Sequence, residues 1–459
     1  MKNAGWGRDG WQGYLPAPGP RTPTPDGVVM RILIEGGRVI DPANAVDEAL
    51  DVLIEDGRIA AVGPPRGSRP AAAADRVLDA RGKVVCPGFV DLHVHLREPG
   101  REDMETIATG TRAAARGGFT SVCCMANTSP VNDNQSVTEF ILDRARRDGV
   151  VNVYPIGAIS KGLQGEQLAE IGELVTTGCV AISDDGKPVM NAEIMRRALE
   201  YAGLFDIPVI QHAEDAHLTG KGSMHEGLVS TELGMRGIPA ASEAVIVARD
   251  LLLAELTGSH YHVAHVSTAE ALRLIREAKA KGLPVTCEVA PHHFALTDEA
   301  VRSFSTQTKM SPPLRSARHV EAVKTALRDG TIDAIATDHA PHTQQDKEVE
   351  FDYAANGILG LETAFGLTVT TLVDGGVLTL PQAIARLTSD PARIFRLPKG
   401  TLSVGADADV TIVDPGREWV VEVRKFASKA RNSPFDGWKL RGEVLATIVG
   451  GKVVWELQG

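Results

Sequence analysis

The chain is short of cysteine, of long apolar runs and of concentrated positive charge. Each shortage removes a class of protein. Its 459 residues hold only five cysteines, Cys86, Cys123, Cys124, Cys179 and Cys287. They form no CxxC pair and no even framework, which excludes a disulfide scaffold and a cysteine-rich zinc ribbon. Most lie in apolar runs, so they read as buried free thiols of a protein kept in a reducing compartment, which is expected to be the cytoplasm. No uninterrupted apolar run approaches the ~18 residues of a membrane helix, and no basic-then-apolar signal opens the chain. The net charge of −11 comes with no basic block. A nucleic-acid partner, which needs a basic stripe, is therefore not expected. There is also no GxGxxG after the first strand pattern and no short internal repeat beyond a strand–helix rhythm.

What is present is the composition of a globular protein, 43% hydrophobic and 23% charged, long enough for one large α/β barrel with a satellite. Residues 1–29 are rich in glycine and proline without apolar periodicity. They read as a disordered tail, with Met30 as an alternative natural start. Residues 30–86 and 398–459 are written in one style, β-branched runs broken by turns such as EGG, EDG and VGG. Two distant segments in one style predict a small β-sandwich assembled from both chain ends.

Between them, residues 87–397 alternate apolar strand patterns with helical ones such as "AEALRLIREAKAKG". The strand patterns fall at 89–96, 120–126, 151–159, 179–183, 208–212, 261–266, 284–290 and 332–337. Eight such units predict a (β/α)8 TIM-type barrel rather than an open doubly wound sheet.

The ends of those strands carry the chemistry. The first ends in "DLHVHLR", with His93, His95 and Arg97, and the second in Asn127. The fourth ends in Asp184 and Asp185, the fifth and sixth carry His212 and His265, and the eighth ends in Asp338 with His339 and His342. A lone strand histidine is more often a hydrogen-bonded core residue than a ligand. His93 and His95, two apart, can face one side and share an ion. Four histidines and two carboxylates converging at one end of five strands point to a metal site. Imidazole with carboxylate suits Zn²⁺ first, with Mn²⁺, Fe²⁺ or Co²⁺ as substitutes. His217, His225 and His319 read as surface residues.

The motifs "DLHVHLREPG", "MANTSP", "QHAED", "VAHVST", "PPLR" and "ATDHAPHTQQDK" together resemble the dihydroorotases, cyclic amidohydrolases of the amidohydrolase superfamily. The likeness runs from about residue 30 to 457. It implies His93, His95 and Asp338 as ligands of one zinc ion, and His212 and His265 as ligands of a second. The bridging place, where many relatives carry a carboxylated lysine, falls on Asp185 of "SDDG". Strand neighbours face opposite ways, so Asp184 is expected to cap or support rather than bridge. A shorter aspartate bridge leaves one or two ions per subunit as alternatives.

The resemblance also implies Arg97, Asn127 and His342 as the clamp for the carboxylate of dihydroorotate, and Asp338 as general base. Ser311 occupies a substrate-facing place where related dihydroorotases usually have Asn, and hydantoinases and dihydropyrimidinases have Ser. Either the backbone alone meets the substrate ring there, or ring recognition is altered. The implied activity is the reversible hydrolysis of dihydroorotate to N-carbamoyl-aspartate in pyrimidine synthesis. The alternatives are an allantoinase, hydantoinase or dihydropyrimidinase, or a silent dihydroorotase-like partner of aspartate transcarbamoylase. An active enzyme bound to the transcarbamoylase, a homo-oligomer, and closure of "TQQDKEVEFDYAANGILG" over the substrate are further expectations.

Overall fold

A computed structural model describes residues 30–64 and 74–458; the tail expected over 1–29 lies outside them. Eight parallel strands form the centre, and in order they are Phe89–Val94, Phe119–Cys124, Asn152–Pro155, Ile182–Ser183, Val209–Gln211, Tyr261–Val263, Val285–Val289 and Ala334–Ile335. The first three pair in sequence, as do the last five. A bridge from Gly157 to Ile182 joins the two groups, and one from Val94 to His339 closes the ring. The result is the barrel that the sequence predicts.

Most of these strands bury both faces, as parallel strands covered by helices must, while Asn152–Pro155 is half-buried over its first three residues. The inner face contributes Val90, Leu92, Cys123, Met125, Ile156, Ala181, Ile210, Ala264, Ala334 and Ala336 to one cluster. The outer face, including Phe89, Phe119, Val209, Tyr261 and Val289, packs on the helices. Helix Ala269–Ala280 shows how those helices are specified. Thr268 caps it by accepting from Ala271 N, and Ala271, Leu272, Ile275 and Ala278 form one buried face.

Both chain ends enter a single hydrogen-bonded sheet of eight strands. From one edge its order is Lys452–Glu456, Lys439–Val449, Val410–Val420, Val84–Pro87, Arg31–Asp41, Val46–Glu55 and Arg58–Gly63, with Arg76–Asp79 also on Arg31–Asp41. Ile32, Ile34, Val52, Ile54, Val85, Val410, Ile412 and Ile448 form its own apolar core. The chain ends meet where Val84–Pro87 runs antiparallel to Val410–Val420, with Cys86 opposite Thr411.

The sheet is fastened to the floor of the barrel by charge. Lys399 Nζ donates to Asp407 Oδ2 at 2.8 Å and Asp409 Oδ2 at 2.6 Å. Asn152, at the start of the third barrel strand, donates to the same Asp409 oxygen at 2.9 Å. All five cysteines are free and buried. Among the described residues no helix is long and apolar enough to cross a membrane.

Candidate active site

The C-terminal ends of the barrel strands gather six buried side chains. The pairing register of the first strand shifts between Asp91 and Val94. Val90 and Leu92 lie in the inner cluster while Val94 lies in the outer one, so the shift leaves His93 and His95 turned to the mouth. Arg97, His265 and Asp338 have positive φ angles of 61°, 31° and 48°. Non-glycine residues reach this region only at a cost in strain, and such residues cluster at functional sites.

Two groups of donor atoms result, His93, His95 and Asp338 in one, and His93, Asp185 and His265 in the other. Asp185 Oδ1 lies 3.4 Å from His93 Nε2 and 3.5 Å from His265 Nε2. Asp338 Oδ1 lies 3.5 Å from His93 Nε2 and 3.3 Å from His95 Nε2. His212 joins the second group through Nδ1, 3.0 Å from His265 Nε2 and 3.6 Å from Asp185 Oδ1. Two ligands 2.0–2.1 Å from one tetrahedral ion stand about 3.3 Å apart, so the separations match ligand sets. His93 Nε2 and Asp185 Oδ1 are buried without a hydrogen-bond partner, which is costly unless a cation meets them. The residues present therefore fit a divalent ion of the zinc class.

Electrostatics agree. Burial alone would push His93 toward neutrality, but Asp185 and Asp338 outweigh it and hold its pKa well above the ordinary value. Burial opposes ionisation of Asp185 too, yet His93, His212 and His265 hold its carboxyl well below the usual range. His212, despite burial, is raised to about 10 by Asp185 and Glu214. Without an ion, imidazolium protons balance the carboxylates; a metal would displace them, so binding should release protons.

The supporting residues explain the orientation of each ring. Glu288, on the seventh strand, meets His93 Nδ1 at 2.8 Å through Oε1, and its Oε2 lies 3.3 Å from His262 Nε2. A carboxylate behind a ligating imidazole fixes its tautomer. Asn127 Oδ1 serves His95 Nδ1 in the same way at 2.9 Å. Asp184 faces away from the mouth and accepts from the N–H groups of Ile159 and Ser160 at 2.8 and 2.9 Å and from the Ser160 hydroxyl. Lys187 is exposed, beyond the turn, so no lysine occupies the place beside Asp185.

On the rim, Arg97 Nη2 lies 3.4 Å from His342 Nε2, and Arg97 Nε donates to Pro341 O at 3.1 Å. The segment after His342 is tied to the loop that follows the seventh strand. Lys347 Nζ donates to the carbonyls of Ala355, Gly357 and Lys309 at 2.8, 3.1 and 3.4 Å. Ser311 Oγ donates to Glu214 Oε2 at 2.8 Å.

The structure corrects two sequence expectations. His225 and His319 are not surface residues; they are 5% and 3% exposed and stack edge to face with centroids 5.2 Å apart. The excursion after the fifth strand folds back and sets Arg315 Nη1 3.3 Å from His225 Nδ1. Burial, Arg315 and His319 depress His225 to about 4, so it is neutral. Only His217 of the three is exposed. Sequence reasoning also missed Glu214 and Glu288. For Glu288 the one available signal is a carboxylate inside the strand "VTCEV", where a charge needs a partner.

Comparison with known proteins bears on the same residues. Residues 82–271 match the family model "Dihydro-orotase-like", and residues 310–455 match "Amidohydrolase family". A dihydroorotase of Pelotomaculum thermopropionicum is 60% identical over 427 residues, covering 93% of this chain and 99% of its own. The chain belongs to the dihydroorotase family.

Another dihydroorotase, from Syntrophus aciditrophicus, is 55% identical over 93% of this chain and 100% of its own. Among solved structures, an L-hydantoinase (dihydropyrimidinase) of Arthrobacter aurescens superposes with a TM-score of 0.83 at 27% identity. It covers 93% of this chain and 96% of that one. A D-hydantoinase gives 0.81 at 26% identity, over 93% and 95%. This chain and these hydantoinases thus share one overall fold, and the residues around the mouth must distinguish their substrates.

Proposed function

We propose that the chain catalyses the reversible hydrolysis of dihydroorotate to N-carbamoyl-aspartate, a metal-dependent opening and closing of a cyclic amide. The observation that carries this reading is Arg97 beside His342, at the rim of a complete set of imidazole and carboxylate donors. Arg97 offers a planar fork that suits the carboxylate of dihydroorotate and has no use in a hydantoin site. His342 is neutral, since burial and Arg97 lower its pKa to about 3; its one N–H, on Nε2, meets Asn356 O at 2.7 Å and would have to leave that carbonyl to serve the carboxylate, without adding charge. Asn127 completes the clamp.

The proposed holders of zinc are His93, His95 and Asp338 for one ion, His212 and His265 for a second, and Asp185 between them. When bound, zinc would supply a more acidic water, with pKa near 7, and polarisation of the ring carbonyl. Asp338 takes the proton from the attacking water and passes it to the leaving ring nitrogen; in the ring-closing direction it runs the transfer backwards. Its position supports this role, because Asp338 Oδ1 lies within 3.5 Å of both His93 and His95. Glu288 and Asn127 hold those two rings still while the proton moves. All six donor positions are filled, which favours an active enzyme over a silent partner of aspartate transcarbamoylase. Cytoplasmic location, a homo-oligomer and association of the active enzyme with aspartate transcarbamoylase complete the proposal.

Turnover of dihydroorotate, dihydrouracil, hydantoin and allantoin, measured with metal content on one preparation, tests the reading. Dihydroorotate should be the preferred substrate, with activity lost on chelation. Faster turnover of hydantoin or dihydrouracil would sink it.

A further inference from the structure

Ser311 stands on the loop after the seventh barrel strand, and the direction of its hydroxyl decides what it can do. A hydroxyl has one proton to give, and this one goes to Glu214 Oε2 at 2.8 Å. The same carboxylate oxygen lies 3.6 Å from His212 Nε2. That distance is an electrostatic contact rather than a hydrogen bond. The opposite nitrogen of the same ring, Nδ1, is the one aimed at His265 and Asp185. Glu214 keeps only 17% of its side chain exposed, so its charge is weakly screened where it meets the ring. What faces the outer nitrogen of a ligating imidazole sets its tautomer and its orientation.

We propose that Glu214 is a positioning residue for His212, and that Ser311 acts through Glu214 on the second metal position instead of reading the substrate ring with its side chain. This rests on the metal-site reading given above. It assigns the serine a role that an asparagine there would fill differently. An amide has two N–H groups, and could hold Glu214 with one while keeping the other for a substrate. A serine that holds Glu214 has no second proton, so any hydrogen bond donated to the ring at this position must come from its backbone. The second half of the site then has its own carboxylate behind a histidine, as the first half has Glu288 behind His93.

The test is zinc titration of metal-stripped protein against a competing chelator, without substrate, followed by kinetics on dihydroorotate at saturating zinc. Glu214→Gln should weaken zinc binding about 10–100-fold. Ser311→Ala should weaken it in the same direction but less, with KM for dihydroorotate within about twofold, because an interaction not made with substrate leaves KM alone. Ser311→Thr, which keeps the hydroxyl, should restore zinc affinity. Wild-type zinc affinity in Glu214→Gln overturns the proposal, whether the protein holds one equivalent or two. So does a Ser311→Ala protein with unchanged zinc affinity and a KM raised about tenfold, which marks a lost substrate contact. If Glu214→Gln fails to fold, the Ser311 pair decides by the same two readouts. Because zinc binding is read without substrate, a wild type inactive on dihydroorotate would sink the functional reading and leave this measurement standing.

Discussion

The floor and the mouth of the barrel bury the same kind of charge and neutralise it in opposite ways. At the floor, Asp407 and Asp409 share the ammonium of Lys399, a cation carried by the chain itself. At the mouth, Asp185 and Asp338 meet only imidazoles, and two of the converging atoms have no hydrogen-bond partner. Buried carboxylates are costly in either place unless something positive compensates them. Where the polypeptide supplies the positive charge, the cluster is finished and works as a fastener. Where it supplies only groups that can lose their protons to a metal, the cluster is open to chemistry.

The comparison breaks most readily at Asp338. Asp338→Asn keeps an oxygen ligand but removes the proton carrier, so turnover should fall by about 10³-fold or more while zinc content stays close to wild type. A variant retaining a tenth of wild-type activity would remove Asp338 from that role. At the floor the expected loss is in stability, not chemistry. Lys399→Met takes the ammonium from buried Asp409 and from Asp407, which keeps Arg58 Nη1 at 3.1 Å, and should cost about 3–5 kcal/mol in denaturant unfolding, equally with and without chelator. A loss that depends on metal would make floor and mouth one system.

Smaller effects sharpen the contrast. Glu288→Gln keeps the shape behind His93 and removes the charge, and should weaken zinc binding about 10-fold or somewhat more, read by chelator competition. Unchanged affinity would reduce Glu288 to packing. The last contrast is Lys347, a second buried amine that, unlike Lys399, donates to carbonyls. Burial and Lys309 lower its pKa to about 7 from 10.5. Between those values the unfolded chain binds the extra proton, so this group's contribution to stability rises with pH from about 7 to 10.5. The stability of wild type relative to Lys347→Met should rise across that window, measured by urea unfolding at pH 7, 8 and 9; a flat difference would contradict it.

Much of this was legible in the sequence because it is written locally. Each barrel strand is a short β-branched or alanine-rich run, and even Ile182–Ser183 and Ala334–Ile335 sit inside runs that end in the mouth carboxylates. His93 and His95 are readable because their spacing gives one direction. What could not be read is whatever depends on a partner far along the chain. Glu288 is one acid in an apolar strand, and its meaning lies 195 positions away at His93. His225 and His319 look like surface residues until the excursion after the fifth strand lays them against each other. The direction of the Ser311 hydroxyl belongs to the same class, since Glu214 is 97 positions earlier.

The sheet woven from both chain ends has a consequence for how the molecule comes into being. Cys86 and Thr411 are opposite each other in the sheet and 325 positions apart in the chain. During synthesis the amino-terminal strands emerge first and must wait, with the edge of Val84–Pro87 unpaired, until the ribosome has delivered the whole barrel and Val410–Val420 after it. Closing so long a loop costs little more than closing a shorter one, about 0.6 kcal/mol per doubling, but it comes late. For that interval the nascent chain carries an open sheet edge, the feature that invites pairing with a neighbour. The strand made after the barrel is therefore the one that seals the sheet begun before it.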